Sequence, residues 1–85
     1  MRILICDDDS SITQSLSQII KVYLKKKKVN VLDIVSFNDG DSLLSDKFQK
    51  DIVFLDVEMS GFDGIYVGNE LKKQNESVII FIVTS

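Results

Sequence analysis

The sequence predicts an α/β fold, a doubly wound parallel sheet, on three observations. Two continuous apolar runs, Ile3-Leu4-Ile5-Cys6 and Ile52-Val53-Phe54-Leu55, each run straight into acid, at Asp7 and Asp56. Such runs read as strands buried on both faces, which belong inside a parallel sheet. Three strands alternate with three helices before a fourth strand, the pattern of a sheet built with right-handed crossovers.

The 85 residues make one small domain, which buries only about 60 to 65% of its unfolded surface, so its stability margin is thin. An apolar fraction of 45% with 27% charged residues is ordinary for a globular domain. No apolar run reaches the length of a membrane span, and no signal-peptide pattern follows Met1, so a cytoplasmic location with no membrane partner is expected. The single Cys6 lies inside the first apolar run, which excludes a disulfide framework and reads as a buried core thiol. A net charge of −3 argues against nucleic acid as the main partner. There is no histidine, so chemistry that needs an imidazole must borrow it from another molecule.

The elements follow in order. After the first strand, Arg2 to Cys6, Ser10 or Ser11 can cap a helix, and Asp9 also reads as a cap. Ile12, Leu16, Ile19, Ile20 and Tyr23 form that helix's apolar stripe. It closes on Lys25-Lys26-Lys27-Lys28, either a phosphate- or membrane-binding patch or, more plainly, a solvated end that complements the helix dipole. Val29 to Phe37 alternates incompletely and reads as a strand toward the sheet edge. Asn38-Asp39-Gly40-Asp41 turns into a short helix to about Phe48, burying Leu43, Leu44 and Phe48. Lys50 leads into the central strand. Asp63 is placed to cap the next helix, Gly64 to Lys73, with Ile65, Val67, Gly68 and Leu71 available for burial. The Gly64/Gly68 pair reads as close helix-to-sheet packing rather than membrane dimerisation. Gln74-Asn75-Glu76-Ser77 is a polar turn, and Val78 to Val83 is the last apolar strand.

The chemistry lies in the acids. If the first and third strands are parallel neighbours, Asp7, Asp8 and Asp56 converge at the C-terminal edge, where open α/β sheets carry their ligands. Carboxylates that close repel one another, and one is driven toward its protonated form unless a cation arrives. Mg²⁺ suits an all-oxygen site and leaves positions for phosphate oxygens. A carboxylate beside it can act as a nucleophile toward phosphorus, giving an aspartyl phosphate. Thr84, at the end of the fourth strand, offers a hydroxyl to the same edge. No Gly-rich phosphate loop is present, so nucleotide binding of that kind has no support. The bland alternative makes these aspartates caps and solubilising loop residues.

Three stretches, Ile3-Leu4-Ile5-Cys6-Asp7-Asp8-Asp9, Phe54-Leu55-Asp56-Val57-Glu58-Met59-Ser60-Gly61-Phe62-Asp63-Gly64 and Phe81-Ile82-Val83-Thr84-Ser85, resemble the receiver domain of bacterial two-component response regulators. They occur in the family's order and span the chain. The Ile-Cys-Asp-Asp-Asp start and the segment Gly68-Asn69-Glu70-Leu71-Lys72-Lys73 are most similar to regulators with a LytTR-type DNA-binding output. The resemblance implies a flavodoxin-like fold with strand order 2-1-3-4, incomplete because the family has a fifth strand-helix unit. It implies Asp56 as phosphoacceptor, Asp7 and Asp8 as metal-binding acids, Glu58 giving its backbone carbonyl to Mg²⁺, and Thr84 as the switch hydroxyl. It further implies a histidine kinase as phosphoryl donor, a relay rather than an enzyme, and contact with DNA only through an output domain outside these residues.

Two departures from the family carry expectations. Ser60 stands where proline is usual, leaving the loop beside Asp56 less stiff. The 85 residues read as the N-terminal part of a receiver, without the lysine and aromatic residue of the fifth strand. The fourth strand then becomes an apolar edge, so self-association through it is expected. Two rival functions remain: an interaction module that is not phosphorylated, and a metal-dependent phosphohydrolase.

Overall fold

The computed structural model describes residues 1–30, 33–58 and 63–83. Its elements are β1 (Arg2–Cys6), α1 (Ser10–Lys26), β2 (Asp33–Phe37), α2 (Gly40–Ser45), β3 (Ile52–Asp56), α3 (Gly64–Gln74) and β4 (Ile79–Val83). The strands form one parallel sheet in the order β2-β1-β3-β4, the doubly wound α/β arrangement that the apolar runs predict. Cys6 is in register with Phe37 on one side and Leu55 on the other. The next residues, Asp7 and Asp56, therefore leave two neighbouring strands at the same edge.

Strand alternation divides the apolar residues between two faces. On one face Leu4, Cys6, Val53 and Leu55 pack with Leu43 of α2, Val67 and Leu71 of α3, and Val78. Each of the larger side chains contributes roughly 1.5–3 kcal/mol by leaving water. Ile3 and Ile5, also buried, alternate to the other face, where α1 lies against β1 and β2. Phe54 and Phe81 stack farther along the sheet with ring centroids 5.2 Å apart, an arrangement that adds about 0.5–1.5 kcal/mol to their burial.

The N-terminal edge is tied by charge. Arg2 donates through Nη1 and Nη2 to the two carboxylate oxygens of Asp46, at 2.6 and 3.0 Å. Lys50 is buried, and its Nζ donates to the Asp46 carbonyl and to Gln74 Oε1. The forked Arg–carboxylate geometry couples the start of β1 to the segment after α2.

Several boundaries and faces depart from the sequence expectations. The first helix is capped by Asp9, whose Oδ1 accepts from Ser11 N at 2.9 Å, while Ser10 is already helical. Its inward line is Thr13, Leu16, Ile20 and Leu24, with Ile12 half-buried beside it; Ile19 and Tyr23 are 64% and 58% exposed. A helix resting on two strands buries a narrower stripe than the full apolar set. Beyond α1, Lys28 takes the left-handed conformation at φ 56°. Lys28 N donates to Lys25 O and Val29 N to Leu24 O, the paired bonds of a Schellman stop. Val29 is thus used in ending the helix, and the strand expected from Val29 begins at Asp33 among the described residues.

Phe48, expected in the core, is 73% exposed. The second helix stops at Ser45 because Asp46 turns extended to meet Arg2 and Lys50, which carries Phe48 outside, with the Arg2 guanidinium 5.4 Å from its ring centroid. Ile65 is likewise exposed, in a first turn that faces away from the sheet, whereas Val67 and Leu71 are buried as expected and Gly68 is half-buried.

Candidate functional site

Asp7 and Asp8 follow β1, and Asp56 is the last residue of β3. Each of the three offers a carboxylate oxygen, and these oxygens all lie within 4.8 Å of one another. Asp7 and Asp56 are buried and Asp8 is exposed. The parallel pairing of β1 with β3 creates this proximity between residues far apart in the chain.

Local bonds hold the carboxylates. Asp7 Oδ1 accepts from Asp9 N at 2.9 Å, and Asp7 N donates to Phe37 O at 3.1 Å, tying the acid to β2. Asp56 Oδ1 accepts from Glu58 N, also at 2.9 Å. Burial pushes the Asp7 carboxyl above the ordinary range; the Asp9 N–H opposes this, and the charges of Asp56 and Asp8 add to it. Burial, followed by the charges of Asp39, Asp7, Asp56 and Asp8, pushes the Cys6 thiol up to about 12. A thiol held that high is not a nucleophile near neutral pH, in line with its place in the core.

All ten lysines and arginines lie toward the opposite edge. Arg2 opens β1, Lys47 and Lys50 precede β3, Lys72 and Lys73 end α3, and the remaining five occupy the second half of α1 and its stop. Eight of the thirteen acids, Asp7, Asp8, Asp9, Asp39, Asp41, Asp56, Glu58 and Asp63, stand at the C-terminal edge instead. The molecule is strongly divided by charge, and a cation is drawn to the acid rim. A groove of about 750 Å³ between the segment after α2 and the end of α3, lined by Leu44, Phe48, Lys50 and Gln74 among others, is on the far side from these acids.

The oxygen set suits a small divalent ion. Ligands of one Mg²⁺ stand at most about 4.2 Å apart, and three carboxylate oxygens within 4.8 Å of one another need only a small closure to share an ion. Glu58 lies two residues beyond Asp56 on the same rim, exposed, with its N–H on Asp56. Thr84 falls outside the described residues, as does Ser60. Close packing expected at the Gly64/Gly68 pair is found at Gly64, the first residue of α3; what the sequence did not reveal is that the residue it meets is Val57, which immediately follows Asp56. A Cβ added at Gly64 would stand 2.6 Å from the Val57 Cα. The glycine at a helix start was the available signal, but periodicity says nothing about what a helix end abuts.

Comparison with known proteins agrees with this architecture. The response regulator receiver domain family matches residues 3–85, and the chain belongs to that family. Among solved structures it is similar to the response regulator TrrA of Thermotoga maritima, determined in complex with Mg²⁺-BeF. Identity is 27% and the TM-score 0.81, covering 98% of this chain and 68% of that one. It also resembles the receiver domain of a DNA-binding response regulator from Colwellia psychrerythraea 34H (25% identity, TM-score 0.75, 100% of this chain and 68% of that one). A cyclic di-GMP phosphodiesterase of Thermotoga maritima is 31% identical over 85 residues, all of this chain. The chain spans only 21% of that relative's length.

Proposed function

We propose that the chain is the phosphoacceptor module of a two-component signalling system, with Asp56 receiving a phosphoryl group from a histidine kinase. The convergence of Asp7, Asp8 and Asp56 within 4.8 Å at the ends of two parallel strands carries this reading. Asp7, Asp8, Asp56 and the Glu58 backbone carbonyl would hold Mg²⁺, which when bound neutralises the rim and the incoming phosphoryl oxygens. The complex of TrrA with Mg²⁺-BeF supports both the ion and the phosphoryl site in a related receiver.

The chain's own contribution is nucleophile and alignment. The Glu58 N–H fixes one oxygen of Asp56 and so orients the other toward phosphorus. That oxygen forms a P–O bond as the P–N bond to the donor imidazole breaks. The imidazole nitrogen keeps the bonding electrons, and Asp56 becomes a mixed carboxylic–phosphoric anhydride. Thr84 is the hydroxyl we assign to follow the phosphoryl group. In this reading the chain relays rather than turns over a substrate, and it works in the cytoplasm. No helix among the described residues is long and apolar enough to cross a membrane.

The output is a separate matter. A LytTR-type, transcription-regulating output is our reading of the Ile5-Cys6-Asp7-Asp8-Asp9 and Gly68 to Lys73 segments, with DNA contacted only there. The cyclic di-GMP phosphodiesterase supports an enzymatic output as the second reading. Promoter binding and cyclic dinucleotide hydrolysis by the full-length protein separate the two. We further propose self-association through the edge of β4, whose Ile79, Phe81 and Ile82 are each about half exposed.

Incubation with acetyl phosphate and Mg²⁺ tests the central proposal. Intact mass should rise by one phosphoryl group, and the gain should vanish in Asp56→Asn. No gain would favour a module that only binds partners, and multiple-turnover phosphate release would favour a phosphohydrolase.

A further inference from the structure

The phosphoacceptor loop and α3 meet more closely than any side chain permits. Gly64 is buried, and a Cβ built on it would stand 2.6 Å from both Cα and Cγ1 of Val57 and 2.7 Å from its Cβ. Carbon atoms in contact settle about 3.5–4.0 Å apart, so a methyl group at Gly64 demands a displacement of roughly 0.9 Å or more. Rotation of Val57 cannot supply it, because the nearest atoms include the backbone Cα. Its neighbours are functional: Asp56 precedes it, and Glu58, whose N–H holds the Asp56 carboxylate, follows.

The other side of this contact is firm. Asp63 caps α3, its Oδ1 accepting from Ile65 N and Tyr66 N at 3.0 and 3.2 Å. Val67 and Leu71 anchor the same helix in the core. Strain introduced at Gly64 therefore falls on the loop rather than on the helix.

We infer that Gly64 is a positioning residue for the acid site: its missing side chain sets where Val57, and with it Asp56 and the Glu58 carbonyl, sit relative to Asp7 and Asp8. This rests on the phosphoacceptor reading and deepens it. Displacements near 1 Å can lower reactivity by about a hundredfold, and half that error is enough to separate a positioned acid from a misplaced one.

Gly68 supplies a matched control on the same helix. A Cβ there meets only Ile80 Cδ1, at 4.0 Å, so Gly68→Ala changes helix propensity without touching the loop. Mg²⁺ affinity by titration calorimetry and the initial phosphorylation rate with acetyl phosphate are measured on wild type, Gly64→Ala and Gly68→Ala, at a temperature where circular dichroism shows each folded. Gly64→Ala should lose about tenfold or more in both quantities, and Gly68→Ala should stay within about twofold of wild type. A Gly64→Ala chain that melts earlier yet keeps wild-type Mg²⁺ affinity and rate overturns the inference, because its role is then structural only. Should Gly64→Ala not fold, Val57→Gly/Gly64→Ala, which removes two of the three close atoms, is compared with Val57→Gly alone. Weaker Mg²⁺ binding by the double variant supports the inference, and equal binding overturns it. A wild-type chain that takes up neither Mg²⁺ nor phosphorus overturns the phosphoacceptor reading and, with it, this one.

Discussion

Asp7 shows most directly how function opposes stability in this molecule. The residue is 3% exposed, and its carboxyl faces the charges of Asp56 and Asp8, an arrangement that disfavours its ionised form in the absence of a cation. Because its affinity for a proton is higher in the folded chain than in the unfolded one, ionisation at neutral pH costs folding free energy. Asp7→Asn should therefore raise the melting temperature without Mg²⁺. The same variant should lose most of the melting shift that Mg²⁺ gives wild type. Calorimetric scans with and without the ion check both halves. The acids themselves were legible as a pair of strand ends, since each follows an uninterrupted apolar run. What the residue pattern did not reveal was the tight seat of Val57 against Gly64, which depends on the angle at which α3 returns to the sheet.

Among the elements, α1 and the Arg2–Asp46 tie make separate predictions. Lys28 stops α1 in a left-handed conformation that costs a side-chain-bearing residue roughly 1–2 kcal/mol and glycine almost nothing. Lys28→Gly should stabilise the chain by about 1 kcal/mol in urea unfolding, with unchanged Mg²⁺ binding. Lysine there is also why the residue pattern overextends the strand after α1: a run of four lysines carries no stop signal, and Val29 looks like strand. Asp46 concerns acid stability. The hydrogen bond and charge of Arg2 hold its carboxyl below the ordinary range, with Lys50 adding to the effect. A lowered folded value means that the stabilisation is complete above about pH 4, the unfolded carboxylate range, and fades as pH falls through the folded value. Denaturation midpoints measured from pH 5 to pH 2 should fall more steeply for wild type than for Asp46→Asn. This tie joins residues 44 apart in sequence, so no local pattern foretold it, and the misplacement of Phe48 followed from missing it.

For the whole molecule, the buried core was readable because β1 and β3, flanked on both sides, carry unbroken apolar runs; β4 carries one too although it lies at the edge, so the sheet order followed from the family likeness and not from the runs. Exposure of Ile79, Phe81 and Ile82 on β4 was readable only as a consequence of the family's strand order. If self-association runs through that edge, light scattering at high micromolar concentration should report a dimer or larger species. Ile82→Lys, which places a charge on the edge, should shift it toward monomer with little loss of folded structure. A wild-type chain that stays monomeric under those conditions contradicts the edge proposal while leaving the acid site untouched.

The single cysteine offers a practical use. Cys6 is 1% exposed and its thiol is pushed up to about 12, so alkylating reagents should find no target until the core opens. Maleimide incorporation followed by mass spectrometry then becomes a clock for the opening of β1 itself. Added Mg²⁺ should slow that clock by holding together the two strands whose ends it joins.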